Sequence, residues 1–374
     1  MFLIIMIVVA VSGGIDSMVL LDYLYQRDYE IVIAHINYQK RVDSYQDGIV
    51  IKEFIKNKAI IFEEYIVPKE QYTKDNFQAQ ARTIRYNFFR EIAHKYHTND
   101  VYIAHHRDDF LETYLFKKER GGLYDYLGIK EISKYQDLVI HRPLLNKNRN
   151  DIEAYSLTYQ IPYHEDSSNA SLLYTRNKIR YYLKSLSNKE RESIYEEACL
   201  ANKKIALEQA FVNDINKKII SKDIFLGWSE NIQLRYLYMV INKPNMTTKY
   251  LKEIIRNIKK NISYQVTFLD TTIICAYDNI YMLKANLAHY SYLIKDEHDY
   301  LTFIARWQDD YQFKIKKINC DFPFIIRSYQ KHDIINKGLD YHKFRLKLKK
   351  RRIPFFLREY LPVLEKEDEV ILLF

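Results

Sequence analysis

Apolar runs and amphipathic stretches alternate along the first 160 or so residues with the rhythm of strands and helices. Residues 2–11 are almost unbroken apolar and rich in β-branched side chains, as a strand covered on both faces requires. A helix-like stretch over 18–25 follows. A second apolar run at 30–36 leads to a helix over 42–57, and a third at 59–67 to an amphipathic helix over 78–96. That helix gathers Ala81, Ile84, Phe88, Ile92 and Ala93 on one face. A fourth strand at 100–104 precedes a helix over 108–118, and a fifth at 138–141 precedes one over 149–159. Such alternation predicts an α/β fold, a doubly wound parallel sheet with helices on both faces. Ligands of these sheets bind at the carboxyl ends of the strands where the winding reverses, here between the first and fourth strands.

Beyond residue 188 the pattern changes. A lysine-rich stretch over 189–218 reads as a helical connector. Amphipathic helices are expected at 229–241 and 248–258, with strand-like segments at 264–275 and 279–285. From about residue 299 the chain reads as strand-rich, with a small α+β domain over 297–374.

Composition narrows this picture. A chain of 374 residues is longer than one typical core, so two or three domains are expected. The net charge of +9 and a pI near 9.0 suit a polyanionic partner. Cys199, Cys275 and Cys320 are too scattered for a metal-ligand spacing or a disulfide framework, which fits a reducing cytoplasm. The apolar N-terminus lacks a basic leader and runs straight into a glycine turn, which argues against a signal peptide. No other apolar run approaches the roughly 20 residues of a membrane span. The 8 glycines set against 34 tyrosines reflect base composition and carry no functional reading.

The densest chemistry follows the first strand, in Ser12-Gly13-Gly14-Ile15-Asp16-Ser17. Paired glycines let the backbone turn sharply and bring its N–H groups against an anion, while the next helix points its positive end there. Ser12 and Ser17 can add hydroxyl donors. No lysine follows the second glycine, so this is not a Walker loop. Asp16 would repel a bare anion and is the candidate ligand of a Mg²⁺ that bridges phosphate oxygens. The competing reading is an ordinary strand–turn–helix corner. The six residues resemble the pyrophosphate-binding loop of the PP-loop ATPases, which implies ATP cleavage between the α and β phosphates and adenylation of a substrate oxygen.

A second loaded loop reads Ala104-His105-His106-Arg107-Asp108-Asp109-Phe110-Leu111-Glu112-Thr113. On a helix starting near Asp108, Glu112 shares a face with Asp108 and with Asp109. These carboxylates are either helix caps or holders of a cation, Mg²⁺ or a substrate ammonium. A zinc site on His105 and His106 lacks a partner set. Arg82 and Arg85, with Tyr86, lie one turn apart on the third helix, and Arg176 and Arg180 are spaced i, i+4 on another. Such arginines are solvated surface or bidentate phosphate ligands.

Taken together, these segments resemble the tRNA(Ile)-lysidine synthase family over residues 6–185. The family's His-x-Asn-His element appears as His35-Ile36-Asn37-Tyr38, with tyrosine in place of the last histidine, and Lys40 falls at a usually apolar position. Its Asn-x4-Ala-Arg-x2-Arg-Tyr runs from Asn76 to Tyr86, and its His-His-x-Asp-Asp-x2-Glu-Thr from His105 to Thr113. Arg120-Gly121, Arg142-Pro143-Leu144-Leu145, Glu165-Asp166-Ser167-Ser168-Asn169 and Tyr174-Thr175-Arg176-Asn177 with Arg180 complete the match. The resemblance implies a PP-loop catalytic domain over 1–188, a middle substrate-side domain over 219–296 and a tRNA-binding domain over 297–374. The basic run Lys343, Arg345, Lys347, Lys349, Lys350, Arg351 and Arg352 would be part of the last, as a folded element interleaved with Phe344, Leu346 and Leu348. A solvated basic helix is the alternative.

The implied reaction has two steps. ATP adenylates the C2 oxygen of cytidine 34 in the CAU anticodon of an isoleucine tRNA, and free L-lysine then displaces AMP. Ser12, Gly13, Gly14, Ile15, Asp16 and Ser17 would hold the pyrophosphate and Mg²⁺, and Asp109 with Glu112 the lysine. Arg82, Arg85, Arg176 and Arg180 would meet phosphates of ATP or tRNA. A thiolation enzyme would want paired cysteines. A small-molecule synthetase would not need the basic module, and a non-catalytic tRNA binder would not need the loop. Oligomeric state stays open, with a homodimer as one candidate.

Overall fold

The computed structural model describes residues 6–39, 43–71, 77–164, 175–215, 219–243, 246–260, 263–284, 288–311, 315, 320–330, 333, 341–367 and 369–373. Lys40, Asn76, the Glu165-to-Asn169 motif, Tyr174 and the side chain of Arg176 lie outside the described residues. The chain forms two compact units, Met1–Ile205 and Ala206–Phe374.

The first unit holds β1 (Met6–Ala10), α1 (Ile15–Tyr25), β2 (Glu30–Asn37), α2 (Tyr45–Ile55), β3 (Ile60–Ile66) and α3 (Phe77–Lys95). It continues with β4 (Asp100–Tyr102), α4 (Arg107–Arg120), β5 (Ile132–Tyr135), β6 (Leu138–His141), α5 (Arg149–Thr158), α6 (Thr175–Ser185) and α7 (Asn188–Asn213), which runs into the second unit. The strands lie in the order β3-β2-β1-β4-β6-β5. Central β1 pairs in parallel with β2 on one side (Val8 opposite Val32) and with β4 on the other (Val8 opposite Val101). The winding therefore reverses between the first and fourth strands, as expected.

The unbroken apolar run has a direct cause. Ile7 and Val9 of β1 face one core, with α1, Ile51 of α2 and Ile152 of α5; Val8 faces the other, with Tyr86, Phe89 and Ile92 of α3. Every side chain of the strand is wanted inside, so period-two alternation disappears. Each such fully buried aliphatic side chain contributes on the order of 1.5–3 kcal/mol. One strand goes beyond the expected all-parallel sheet. β5 pairs antiparallel with β6 and forms the sheet's edge. Its four residues, Ile-Ser-Lys-Tyr, offer one strongly apolar position and no run to read.

The second unit holds β7 (Ile219–Ser221), α8 (Lys222–Gly227), α9 (Glu230–Ile241), α10 (Thr248–Lys259), β8 (Tyr264–Thr267), β9 (Thr271–Ala276) and β10 (Asn279–Lys284). There follow β11 (Ser291–Ile294), α11 (Glu297–Tyr311), β12 (Phe324–Ser328), α12 (Tyr341–Lys350), β13 (Pro362–Lys366) and β14 (Glu369–Leu372). Two four-stranded sheets result, β7-β10-β9-β8 and β11-β12-β13-β14. They share one core, in which Ile274, Tyr281 and Leu283 meet Phe324, Ile326, Val363 and Leu364.

One expectation needs correction here, and two gain detail. The single strand-like segment over 264–275 is a hairpin, closed where Phe268 N donates to Thr271 O at 2.8 Å. The region from residue 297 has the expected α+β make-up, with helices α11 and α12 beside strands β12, β13 and β14. The basic run folds as α12 with a period near four: Phe344 (0% exposed) and Leu348 (1%) enter the core, while Leu346 (50%) stays outside with the cations. Cys199, Cys275 and Cys320 are free thiols, and no helix among the described residues is long and apolar enough to cross a membrane.

Candidate active site

The turn after β1 is shaped from within and braced from without. Gly13 adopts φ +88°, and a Cβ there would stand 2.8 Å from Asp47 Cβ and 2.9 Å from Asp47 Cα. Both the left-handed backbone and the approach of α2 therefore demand glycine. Ser17 Oγ accepts from Ser12 N (3.1 Å) and donates to Gly14 O (2.9 Å), so this buried hydroxyl holds the loop's curve. Gly14 caps α1 without a side-chain partner, which leaves the first-turn amides of Ile15 and Asp16 to an outside acceptor. From the far side His164 N donates to Gly13 O (3.0 Å), and its Nδ1 lies 2.8 Å from Asp47 Oδ1.

Asp16 projects from the first turn of α1 onto Arg149 at the start of α5. Arg149 Nη1 donates to both carboxylate oxygens, at 2.9 and 3.2 Å. His106 Nε2 stands 4.0 Å away. Burial raises the Asp16 pKa above the ordinary aspartate value; His106 and Arg149 oppose the shift and nearby Asp109 adds to it. A cation here would relieve that cost. No cluster of three or more His, Cys, Asp or Glu suited to a metal occurs among the described residues. Mg²⁺ needs none where one or two carboxylates and substrate phosphates supply the ligands, and the Asp16 environment fits that mode.

The start of α4 builds the second half of the site. His106 is the N-cap: its Nδ1 accepts from Asp108 N (3.2 Å), and Asp109 Oδ2 accepts from His106 N (2.9 Å). Asp109 is thus a capping residue as well as a site carboxylate. Asp108 faces away to Arg191 (3.3 Å). Glu112, only 5% exposed, accepts from Arg180 Nε at 2.6 Å. Arg180, read as a phosphate ligand from sequence, therefore sits on one of the two carboxylates assigned to an amine.

Two cavities meet at this point. One of about 300 Å³ is bordered by Ser12, Asp16, Ser17, Tyr38 and His106. The other, of about 350 Å³, is bordered by Arg82, Glu112, Thr113 and Arg180. Arg85, His105 and Asp109 border both. Tyr38, at the family's histidine position, donates to Ala81 O (2.9 Å) and also hydrogen-bonds Arg85. Arg82 lies over the Tyr86 ring, 4.7 Å from its centroid. Nothing in the sequence pattern singles out Arg149, Asp47 or His164 as site residues or gives Arg142 a role. Asp47 sits on a helix with no motif around it, and Arg149 lies 133 residues from its partner.

Elsewhere, in the second unit, α12 presents Lys343, Arg345, Lys347, Lys349 and Lys350 to solvent, with Arg351 and Arg352 just beyond its end, also exposed. Arg352 pairs with Asp278 at 2.8 Å. These seven residues do not belong to the pair of cavities.

Comparison with known proteins bears on both units. The PP-loop domain family matches residues 5–186. A tRNA(Ile)-lysidine synthase from Mycoplasma mycoides subsp. mycoides is 34% identical over 297 residues, covering 75% of this chain and 73% of that protein. One from Mesoplasma florum is 32% identical over 345 residues, covering 85% and 84%. Among solved structures, the U34-tRNA thiolase NcsA from Methanococcus maripaludis is similar with a TM-score of 0.44 and 14% identity, over 53% of this chain and 72% of that one. A PP-loop ATP-binding domain and relatives of one name over most of the chain lead to one statement: this chain belongs to the tRNA(Ile)-lysidine synthase family of enzymes.

Proposed function

We propose that this enzyme uses ATP and free L-lysine to convert cytidine 34 in the CAU anticodon of an isoleucine tRNA to lysidine, working in the cytoplasm. The observation that carries the reading is the junction of the two cavities. A phosphate-binding turn borders one, a pair of carboxylates borders the other, and Arg85, His105 and Asp109 stand between. An adenylating enzyme that takes an amine as its second substrate needs that order.

In this reading the Ile15 and Asp16 amides and the positive end of α1 hold the departing pyrophosphate, with Arg85 close by for phosphate charge. Asp16 would hold Mg²⁺, which would supply charge neutralisation on the phosphates. The C2 oxygen of cytosine is a poor leaving group until it is adenylated. AMP then leaves as the lysine amine attacks C2. Glu112 and Asp109 orient lysine through its ammonium groups, and either carboxylate can accept the proton the amine sheds. The seven basic residues at and after α12 hold the tRNA body through its phosphates, which positions the RNA without reading its sequence.

The deciding experiment incubates the protein with ATP, radiolabelled lysine and an isoleucine tRNA transcript bearing CAU. Label should appear in RNA, and only when ATP is present. Lysine that stays free in the presence of intact tRNA and ATP would refute the assignment.

A further inference from the structure

Arg142 follows the last residue of β6 and is 6% exposed, yet among the described residues it pairs with no carboxylate. Its Nη1 donates to Lys130 O and to Ser133 Oγ, both at 2.9 Å, and the Tyr86 hydroxyl also hydrogen-bonds it. Its Nε donates to His105 Nδ1 at 3.0 Å. Burying a guanidinium among neutral acceptors is costly, and in this protein burial does lower the Arg142 pKa. Such an arrangement asks for a purpose.

The last of those bonds constrains His105. A guanidinium only donates, so His105 Nδ1 must accept and cannot carry a proton. A neutral ring with Nδ1 bare has its hydrogen on Nε2. His105 borders both cavities, and with Nδ1 taken, Nε2 is the nitrogen left for a ligand. We infer that Arg142 is a positioning residue that locks His105 as an Nε2–H donor, aimed at an oxygen acceptor of the substrate where the two cavities join. Resting on the function proposed above, that acceptor is the C2 oxygen of cytosine, which gains from a donor as adenylation begins. The lock also removes His105 as proton acceptor for the attacking amine and leaves that task to the carboxylates of Asp109 and Glu112. Burial first, then the charges of Arg142 and Arg85, pushes the His105 pKa down to about 4, against the pull of Asp109. The ring therefore stays neutral at working pH, which the lock requires.

The test reads the tautomer in the full-length protein labelled with ¹⁵N-histidine at pH 7, the His105 signals being identified by their loss in His105→Gln. The expected spectrum shows an unprotonated, pyridine-type Nδ1 and a protonated, pyrrole-type Nε2. Arg142→Gln should release the lock, mixing the two tautomers and lowering kcat for lysine transfer at least tenfold, while KM for lysine and for ATP moves less than about threefold. Wild-type His105 with its proton on Nδ1, or doubly protonated, would overturn the inference. So would a folded Arg142→Gln protein with unchanged tautomer and kcat. If Arg142→Gln does not fold, the wild-type spectrum decides alone. Failure of the wild-type protein to attach lysine to tRNA would sink the proposed function instead, while the spectrum would still judge the lock.

Discussion

The cavity-lining charges of the first unit and the basic helix of the second use charge in opposite ways. Around the glycine turn, charges are few, close and mutually engaged: Asp16 with Arg149, Glu112 with Arg180, Asp109 with the His106 amide. On α12 the cations are many and exposed, carried by a helix whose other edge is anchored through Phe344 and Leu348. The first arrangement acts over a hydrogen-bond length and depends on geometry. The second acts through a field that salt screens within about 8 Å at physiological ionic strength. The lesson is that substitution in the first should break chemistry, and in the second should weaken attraction by degrees.

The sharpest break should come from Asp16→Ala. Lysine transfer should fall at least about 100-fold, equivalent to ~2.7 kcal/mol of barrier. Affinity for tRNA in a filter or gel assay should change less than twofold. Retention of more than a tenth of wild-type activity would remove Asp16 from the machinery. Next, Glu112→Gln should raise KM for lysine about tenfold or more and KM for ATP less than twofold. The reverse pattern in steady-state kinetics would move this carboxylate to the nucleotide.

Reversing Lys349, Lys350 and Arg351 to glutamate tests the other half of the comparison. At low salt tRNA should bind at least about tenfold more weakly, and the slope of log affinity against log salt should flatten by about 2, given roughly 0.7–0.9 per neutralised phosphate. ATP binding should not change. The same affinity and slope would make α12 a solvated face. The smallest effect is on stability. Because burial raises the folded-state pKa of Asp16 above its unfolded value, its ionisation is a cost that is absent below the unfolded pKa. The cost grows as pH rises through the raised pKa, so Asp16→Asn should raise Tm by about 1–3 °C at pH 7 and by less as pH falls toward 4. The α12 reversals should shift Tm by less than about 1 °C. Equal shifts would erase the distinction between strained site and relaxed surface.

Local chemistry was legible before the structure wherever it was written in adjacent residues. The glycine turn, the carboxylates of α4 and the reversal of winding after β1 depend on short-range pattern, and those elements appear where the pattern places them. What stayed hidden is set by pairing across the fold. Arg149 meets Asp16 because α5 packs beside α1. Edge strand β5 exists because β6 offers it hydrogen bonds, not because its four residues call for a strand. The basic run was open between a folded element and a solvated helix for a related reason: only the core that receives Phe344 and Leu348 decides how α12 is anchored.

Gly13 has a consequence for how such a sequence can drift. The nearest atoms to its missing side chain include the Asp47 backbone, at 2.9 Å from Cα and 3.1 Å from the carbonyl oxygen, so shrinking the residue at 47 would not open room. Position 13 has no neutral neighbour in sequence space and no single compensating partner. A lineage that lost this glycine would have to move the α2 backbone at Asp47 as well as bear the left-handed turn. Random libraries built on this chain should therefore return glycine at 13 under any selection for folding, whether or not catalysis is asked for.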